Sequence, residues 1–477
     1  MIDKQLMSCT EFKILSHACM IVKAKGVTII IDPWLLGSCY WRSWWNYPRP
    51  VFDEEELAHV DYVLISHIHW DHWHGLTLKK YFKNAKFLIG DDPNSRSMID
   101  LNSIGMKRVE VCQHGKRVCL GGMNVYFYNF GLFLNDSAIV IETDDCTLLN
   151  VNDAKITDLA LKSMLRKHGP IDFAFRSHSS ANSRVMFKIT SEPSMVFDDK
   201  EHYFRSFCLF MDIVRPRFAI PFASNHCHLN DDVLEFNNYI SNPMELEEFV
   251  QAGRTPSWQL RVMLPGSNWN FDAGFSLRRN DCFKEFFDSY MSEYKKSVVG
   301  IIDKYKKKEN SLKITDGVLL RFEDFLKKAK VKKLKYGLRI LLTRPSGDND
   351  SIKVNADASC SFSQNLTETS DGKEPLLIMP MAVFFDALRK NMFHHAAISK
   401  RCRFIATDQD SMNVLKNFFG KLELHELTGT LSVRYVFKLL YRQLTRFPEG
   451  LVYLKFFYWI KVRGLATYDA EEEVLKP

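Results

Sequence analysis

Apolar positions in the first 230 residues fall into short runs broken by turn residues. These runs predict strands over Glu11 to Leu15, Cys19 to Val22, Val27 to Ile31, Tyr62 to Ile65, Lys86 to Ile89, Val125 to Tyr128, Ala138 to Glu142 and Thr147 to Val151. Helical stretches fall between the later runs, so the pattern is a layered α/β fold. The run Val27-Thr28-Ile29-Ile30-Ile31 stops at Asp32-Pro33, as a buried strand ended by proline does. Asp61 to Ile65 is a second apolar strand, and it delivers the string Ser66-His67-Ile68-His69-Trp70-Asp71-His72 onto the loop at its end.

From about Asp281 to Leu312 the chain turns lysine-rich and helical, and a strand is expected at Arg339 to Thr343. The polar segment Pro345 to Lys373 reads as a hairpin or excursion loop without chemistry. Met381 to Phe393, entered just after Pro380, predicts an amphipathic helix. A chain of 477 residues exceeds one compact core. The expectation is a metal-binding domain over residues 1–280 and a smaller α+β domain over residues 281–477.

Composition narrows the class. Hydrophobic residues make up 46% and charged residues 25%, which suits a globular protein. The net charge of +7 is carried locally, by lysines within 295–308 and 327–335, and these read as solvated helix faces. No nucleic-acid module is present, so nucleic acid is not expected as a partner. Eleven cysteines without a CxxC pair, and a beginning without an apolar leader, place the expected location in the cytoplasm. No run reaches the roughly 20 apolar residues of a membrane span. Gly450 to Val462 is strongly apolar with lysines inset, and reads either as a buried helix or as an anchor touching a membrane surface.

Two histidines separated by one residue point the same way at a strand exit, and the tightening turn brings Asp71 and His72 round to them. Four ligand-type side chains then meet within one loop. Imidazole and carboxylate suit iron, zinc and similar divalent ions. The nearby His74 reads as a residue behind the ligands or as a surface histidine.

The string resembles the His-x-His-x-Asp-His hallmark of the metallo-β-lactamase superfamily, which implies an αββα sandwich with a mono- or dinuclear metal site. The resemblance also implies a later bridging aspartate, matched by Asp153 after the run Leu148 to Val151, and a final histidine, matched by His226 with His228 as the alternative. The histidine expected between them, near Tyr128 to Ala138, is absent, and His114 lies too early. Either one metal position is depleted, or Asp136 or Asn135 substitutes. With His67, His69 and Asp153 on one ion and Asp71, His72 and His226 on the other, each ion would see two imidazoles and a carboxylate. Non-haem Fe(II) oxygenases use that set, and so do hydrolytic zinc sites.

A closer resemblance is to the CMP-N-acetylneuraminate hydroxylases. It is carried by Asp32-Pro33-Trp34-Leu35 with Trp44-Trp45, the Ser66 to His72 string with Leu78-Lys79-Lys80, Leu149-Asn150 through Asp153, Pro216 to Ala223, and Asn242-Pro243 with Glu245-Leu246. It spans about residues 10–270, with a weaker likeness through Val383 to Phe404. The Cys-x-His and Cys-x-x-His strings of that family's Rieske domain do not occur as a pair here, so electrons for an oxygenase are expected from a separate protein.

The aromatic patch Trp34, Trp41, Trp44, Trp45 and Tyr47 is expected to serve as a hydrophobic lid or domain contact, or to stack on a base or sugar ring. Arg42, Arg176 and Arg184 are candidate donors to an anionic small-molecule substrate, and His178 is a candidate proton-transfer group. The leading expectation is an oxygenase with iron, O2 and an external electron donor, acting on an N-acyl or nucleotide-sugar-like substrate. The alternatives are a binuclear hydrolase of lactones, esters or phosphodiesters, with Asp71 or Asp153 orienting the attacking water, and a binding protein that has lost turnover.

Overall fold

A computed structural model describes residues 9–92, 94–131, 136–179, 183–192, 200–253, 255–278, 287–364, 374–429, 433–463 and 473–475. Each of the eight strands expected from the apolar runs forms, with ends shifted by no more than two residues. They assemble into two large sheets. In spatial order the first runs Gly274–Ser276, Asn268–Asn270, Glu11–Ile14, Met20–Ala24, Val27–Ile31, Tyr62–Ile65, Lys86–Gly90 and Val109–Cys112. The second runs Gln259–Leu260, Phe218–Phe222, Phe173–Ser177, Thr147–Asn152, Asp136–Glu142, Asn124–Phe130 and Arg117–Cys119. Each sheet joins an antiparallel meander to parallel strands, and the parallel strands carry their loops to one end.

Side chains alternating along each strand explain the layers. In Tyr62–Ile65, Leu64 faces the opposite sheet, where it meets Val125, Ile139 and Phe175. Val63 and Ile65 face outward against Leu78 and Leu101 of the helices Gly75–Tyr81 and Arg96–Ser103. Both faces are buried, so the strand reads as an unbroken apolar run. Each such side chain removed from water contributes about 1.5–3 kcal/mol. On the far side, Val140, Leu149 and Ala174 pack on Leu161, Phe207 and Leu246 of the helices Asp158–His168, Lys200–Val214 and Pro243–Gly253. The result is the αββα sandwich of metallo-β-lactamases.

A third sheet orders Phe187–Ile189, Arg403–Ala406, Leu376–Pro380, Leu338–Thr343, Asp350–Val354 and Cys360–Gln364, with helices Asp316–Lys328, Met381–Lys390 and Gln409–Thr428 in its core. The polar segment from Pro345 thus contains a hairpin of two paired strands, and residues 365–373 lie outside the described residues. Position 280 is crossed in both directions. Phe187–Ile189 pairs with Arg403–Ala406, while Val452 of the helix Phe447–Phe457 packs in the core beside Leu161 and Met164. The helix expected over Met381 to Phe393 stops at Lys390, because Asn391 takes a left-handed conformation (φ 57°). A separate helix, Phe393–Ile398, then begins. Among the described residues no helix is long and apolar enough to cross a membrane, and none of the described cysteines is in a disulfide.

Candidate metal centre

The strand Tyr62–Ile65 ends at Ser66, and the carbonyl of His69 accepts hydrogen bonds from the amides of His72 and Trp73, both at 3.0 Å. That turn folds Asp71 and His72 back over His67 and His69. Three neighbouring strands contribute through residues with left-handed backbone at their carboxyl ends: Asp32 (φ 45°), Asn152 (φ 48°) and Ala223 (φ 51°). Such conformations cost free energy and persist where surrounding structure imposes them. The register shift between Asn150 and Asn152 is a bulge that turns Asp153 into the cavity. His226 begins the short strand His226–His228, which pairs with Trp44–Asn46, and its ring stacks on Trp44 at 3.7 Å between centroids.

Nitrogens and carboxylates converge. His67 Nε2 lies 2.8 Å from His69 Nδ1, and Asp153 Oδ2 lies 3.3 Å from His72 Nε2 and 4.0 Å from His67 Nε2. Three groups have donor atoms within 4.8 Å of one another: His67, His69 and Asp136; His67, His72 and Asp153; and His17, Asp71 and His72. The remaining nitrogens are held from behind. His67 Nδ1 meets Ser66 Oγ at 2.9 Å, His72 Nδ1 meets Asp32 Oδ2 at 2.8 Å, and His69 Nε2 meets His394 Nε2 at 2.9 Å. Fixing the outward nitrogen of each imidazole aims the inward one, as in metal sites generally.

The electrostatics fit divalent cations. Burial raises the Asp136 carboxyl and the charge of Asp153 adds to it, to about 7. Burial lowers His67 and His69 well below the usual range, and neighbouring imidazoles add to the effect. For His72 burial is outweighed by the carboxylates of Asp71, Asp153 and Asp32, which hold it well above. The buried Nε2 atom of His226 has no hydrogen-bond partner. Crowded buried carboxylates, with the imidazoles of His67 and His69 kept neutral, are what a bound cation would neutralise.

A cavity of about 400 Å³ opens on this cluster, lined among others by His17, Asp136, Asp153, Lys155, His226 and His394. His69, Asp71, Trp44 and Tyr203 also reach it, while His67 and His72 lie behind at hydrogen-bonding range of its wall. His228, the alternative to His226, does not line it and bonds through Nδ1 to the Ser43 carbonyl. His74 is buried and bonds Thr77 Oγ1 at 3.0 Å.

Several expected contacts are corrected. Trp44 and Trp45 are adjacent on one strand, so they face opposite ways. Trp45 is buried beside Leu229 and Tyr294, away from the cavity. Arg42 donates to Ser38 Oγ at 3.1 Å, and Arg176 donates to Ser206 Oγ at 3.1 Å and lies over Phe210. Neither lines the cavity, and among the described residues the cation that does is Lys155. The side chain of Arg184, and Asn135, lie outside the described residues. His178 is also absent from the lining; burial, with His17 nearby, lowers its pKa to about 3. His114 stands apart and accepts from the amide of Asn129. It completes the Cys-x-His string Cys112-Gln113-His114, but no Cys-x-x-His string accompanies it.

Other residues enter without having been singled out. His17, in the turn between the first two strands, meets Asp71 Oδ2 at 3.1 Å, and the Tyr40 hydroxyl donates to Asp71 Oδ1 at 2.5 Å. His394 arrives from the helix Phe393–Ile398, whose start is clamped by Glu426 accepting from the His394 amide at 2.6 Å. The adjacent His395 reaches the Ile68 carbonyl in the histidine loop. A doublet of histidines just past Asn391 was the available signal.

The two-sheet sandwich of the N-terminal half has the metallo-β-lactamase fold. Residues 11–151 match the beta-lactamase superfamily domain. Among curated proteins, the cytidine monophosphate-N-acetylneuraminic acid hydroxylase of Danio rerio is 23% identical over 327 residues, covering 61% of this chain and 53% of the relative. A protein of Mycobacterium tuberculosis named for a Rieske 2Fe-2S iron-sulfur centre is 25% identical over 277 residues, covering 54% and 52%. The chain spans about half the length of the curated relatives it matches. Solved structures similar to it include hydrolases and CmlA, a diiron beta-hydroxylase from Streptomyces venezuelae, at 17% identity and a TM-score of 0.37, covering 55% of this chain and 54% of that one.

Proposed function

We propose that the protein is a dinuclear metalloenzyme that hydroxylates an N-acyl or nucleotide-sugar-like substrate, using non-haem iron, O2 and an external electron donor. The observation that carries this reading is Asp136 beside His67 and His69, where the superfamily pattern has a histidine. His67, His69, Asp136 and Asp153 would hold one ion, and Asp71, His72, Asp153 and His226 the other. Two imidazoles with carboxylates on each ion form the donor set of non-haem iron oxygenases. Iron held this way supplies the activation of O2. Inserting one oxygen atom into a C–H bond and releasing the other as water consumes two electrons and two protons, and the names of the curated relatives support both a nucleotide-sugar substrate and an iron–sulfur donor.

The chain's own residues prepare the site. Ser66 and Asp32 hold the outward nitrogens of His67 and His72. Trp44 covers His226, and Lys155 offers a positive group at the cavity to an anionic substrate. His394 acts as a positioning residue through His69. Its replacement by alanine is expected to weaken metal binding by about 10–100-fold, read by titrating metal-free protein with Fe(II) or Zn(II). An unchanged affinity would detach residues 281–477 from the centre.

A binuclear zinc hydrolase is the second reading, favoured by the histidine loop itself, which suits zinc equally well. Elemental analysis of protein grown with both metals available decides between them. Iron near stoichiometry, with reductant-dependent O2 consumption, is the expected result. Zinc with lactonase or phosphodiesterase turnover would replace the oxygenase by the hydrolase, and a chain that retains neither metal would overturn both.

A further inference from the structure

The described segment 433–463 folds as the helix Val433–Thr445, the helix Phe447–Phe457 and a π-helical turn Tyr458–Val462. Three of its charged groups are turned inward. Arg442, Arg446 and Glu449 are buried, Arg446 donates to the Asn129 carbonyl at 3.2 Å, and the Tyr453 hydroxyl donates to Glu449 Oε1 at 2.6 Å. Its apolar groups are turned outward. Phe437, Leu440, Tyr441 and Leu444 recur at the spacing of one helical face, with Leu444 75% and Phe437 67% exposed. Leu454, Phe457 and Tyr458 repeat that spacing on the second helix and are also exposed. A helix lying in water on a globular core shows the reverse arrangement, and a contiguous exposed apolar face marks a binding surface.

The charges around the face choose the occupant. Between residues 435 and 463 the exposed charged side chains are Lys438, Lys455, Lys461 and Arg463, all positive, and the single acid of the stretch, Glu449, is buried; Lys455 is paired with Asp158 of a neighbouring helix, which leaves the positive character to the other three. A second copy packed symmetrically on this face would set these cations against one another. A bilayer carrying anionic lipids offers the complement to both features, an acyl boundary for the stripe and phosphates for the cations. We propose that residues 433–463 dock the protein on the surface of an anionic membrane, lying in the interface without spanning it. Tyr441, Tyr458 and Trp459 suit the headgroup level. The surface is tied to the second sheet, because the amide of Gly131, directly after the strand Asn124–Phe130, donates to the Tyr453 hydroxyl at 2.6 Å.

The test is sedimentation of the full chain with vesicles of phosphatidylcholine alone or mixed with phosphatidylserine. Binding to the mixed vesicles, weakened by salt, is the expected result. Phe437→Ser with Leu444→Ser should weaken it by about 100-fold, and Lys461→Glu with Arg463→Glu by at least about thirtyfold. Both pairs should leave the thermal midpoint unchanged, because these side chains are exposed. Failure to bind, or equal binding to both vesicle types, overturns the proposal. So does a lipid-free dimer that the Phe437→Ser and Leu444→Ser changes dissolve while vesicles capture nothing, which would assign the face to a second copy.

Discussion

An Asp153→Ala variant is expected to fold and to lose both metal ions together. Asp153 Oδ2 stands between His72 Nε2 and His67 Nε2, so it is the carboxylate common to the two proposed positions. Its side chain is 30% exposed, so its removal opens no cavity in the core. Metal affinity should fall by more than about 100-fold, beyond the range for groups standing behind ligands. Elemental analysis after dialysis against a chelator reads the loss, and circular dichroism checks the fold. Retention of one ion at full occupancy would show that Asp153 serves a single position.

An Asp32→Ala variant is expected to fail differently, through stability as well as metal binding. The Asp32 carboxylate is fully buried and accepts from the amide and hydroxyl of Ser66 at 2.7 and 2.5 Å and from Asn152 Nδ2 at 2.6 Å, and it meets His72 Nδ1 at 2.8 Å. Its removal leaves buried donors unpaired and takes from the buried His72 ring the carboxylate at Nδ1, leaving Asp71 and Asp153 on its other side. The expected cost is about 3–5 kcal/mol, measured by denaturant unfolding of metal-free protein so that bound metal does not offset it. In whatever folds, metal affinity should drop by about 10–100-fold, since His72 is no longer aimed. Unfolding at the wild-type denaturant midpoint would sink this account.

The contrast between these two aspartates marks what was legible in the chain. Asp153 was found because it follows an apolar strand and matches a motif. Asp32 was seen as the residue that stops a strand and as part of a string carrying the closer resemblance, but it was given no role at the centre, since nothing local says that its carboxylate will face His72, forty positions on. His394 was further from reach. It meets His69 across 325 residues, and reading Met381 to Phe393 as one helix concealed the left-handed Asn391 that starts a new helix and aims the histidine pair. For the missing histidine, the choice between Asp136 and Asn135 stood open, and only assembly of the second sheet brings Asp136 within reach of His67 and His69.

The arginines and tryptophans teach the same lesson from the other side. Their chemistry suited an anion or a sugar ring, but a type of side chain carries no direction. Trp44 reaches the cavity and Trp45 does not, because successive residues of a strand point to opposite faces. Residues 450–462 were read as either buried or interfacial. The structure gives the segment both faces, with Val452 buried beneath and Leu454 and Phe457 exposed above.

By itself the sequence determined the strands of the sandwich and the histidine loop, because strand period, proline stops and the spacing of ligands within one turn are local properties. The tertiary structure decided which distant groups join that loop: His17 and Tyr40 at Asp71, Asp32 behind His72, and His394 behind His69. The reason is geometric. Convergence at a point depends on the order in which strands lie side by side and on where separate helices dock, and no short-range period in the chain encodes either.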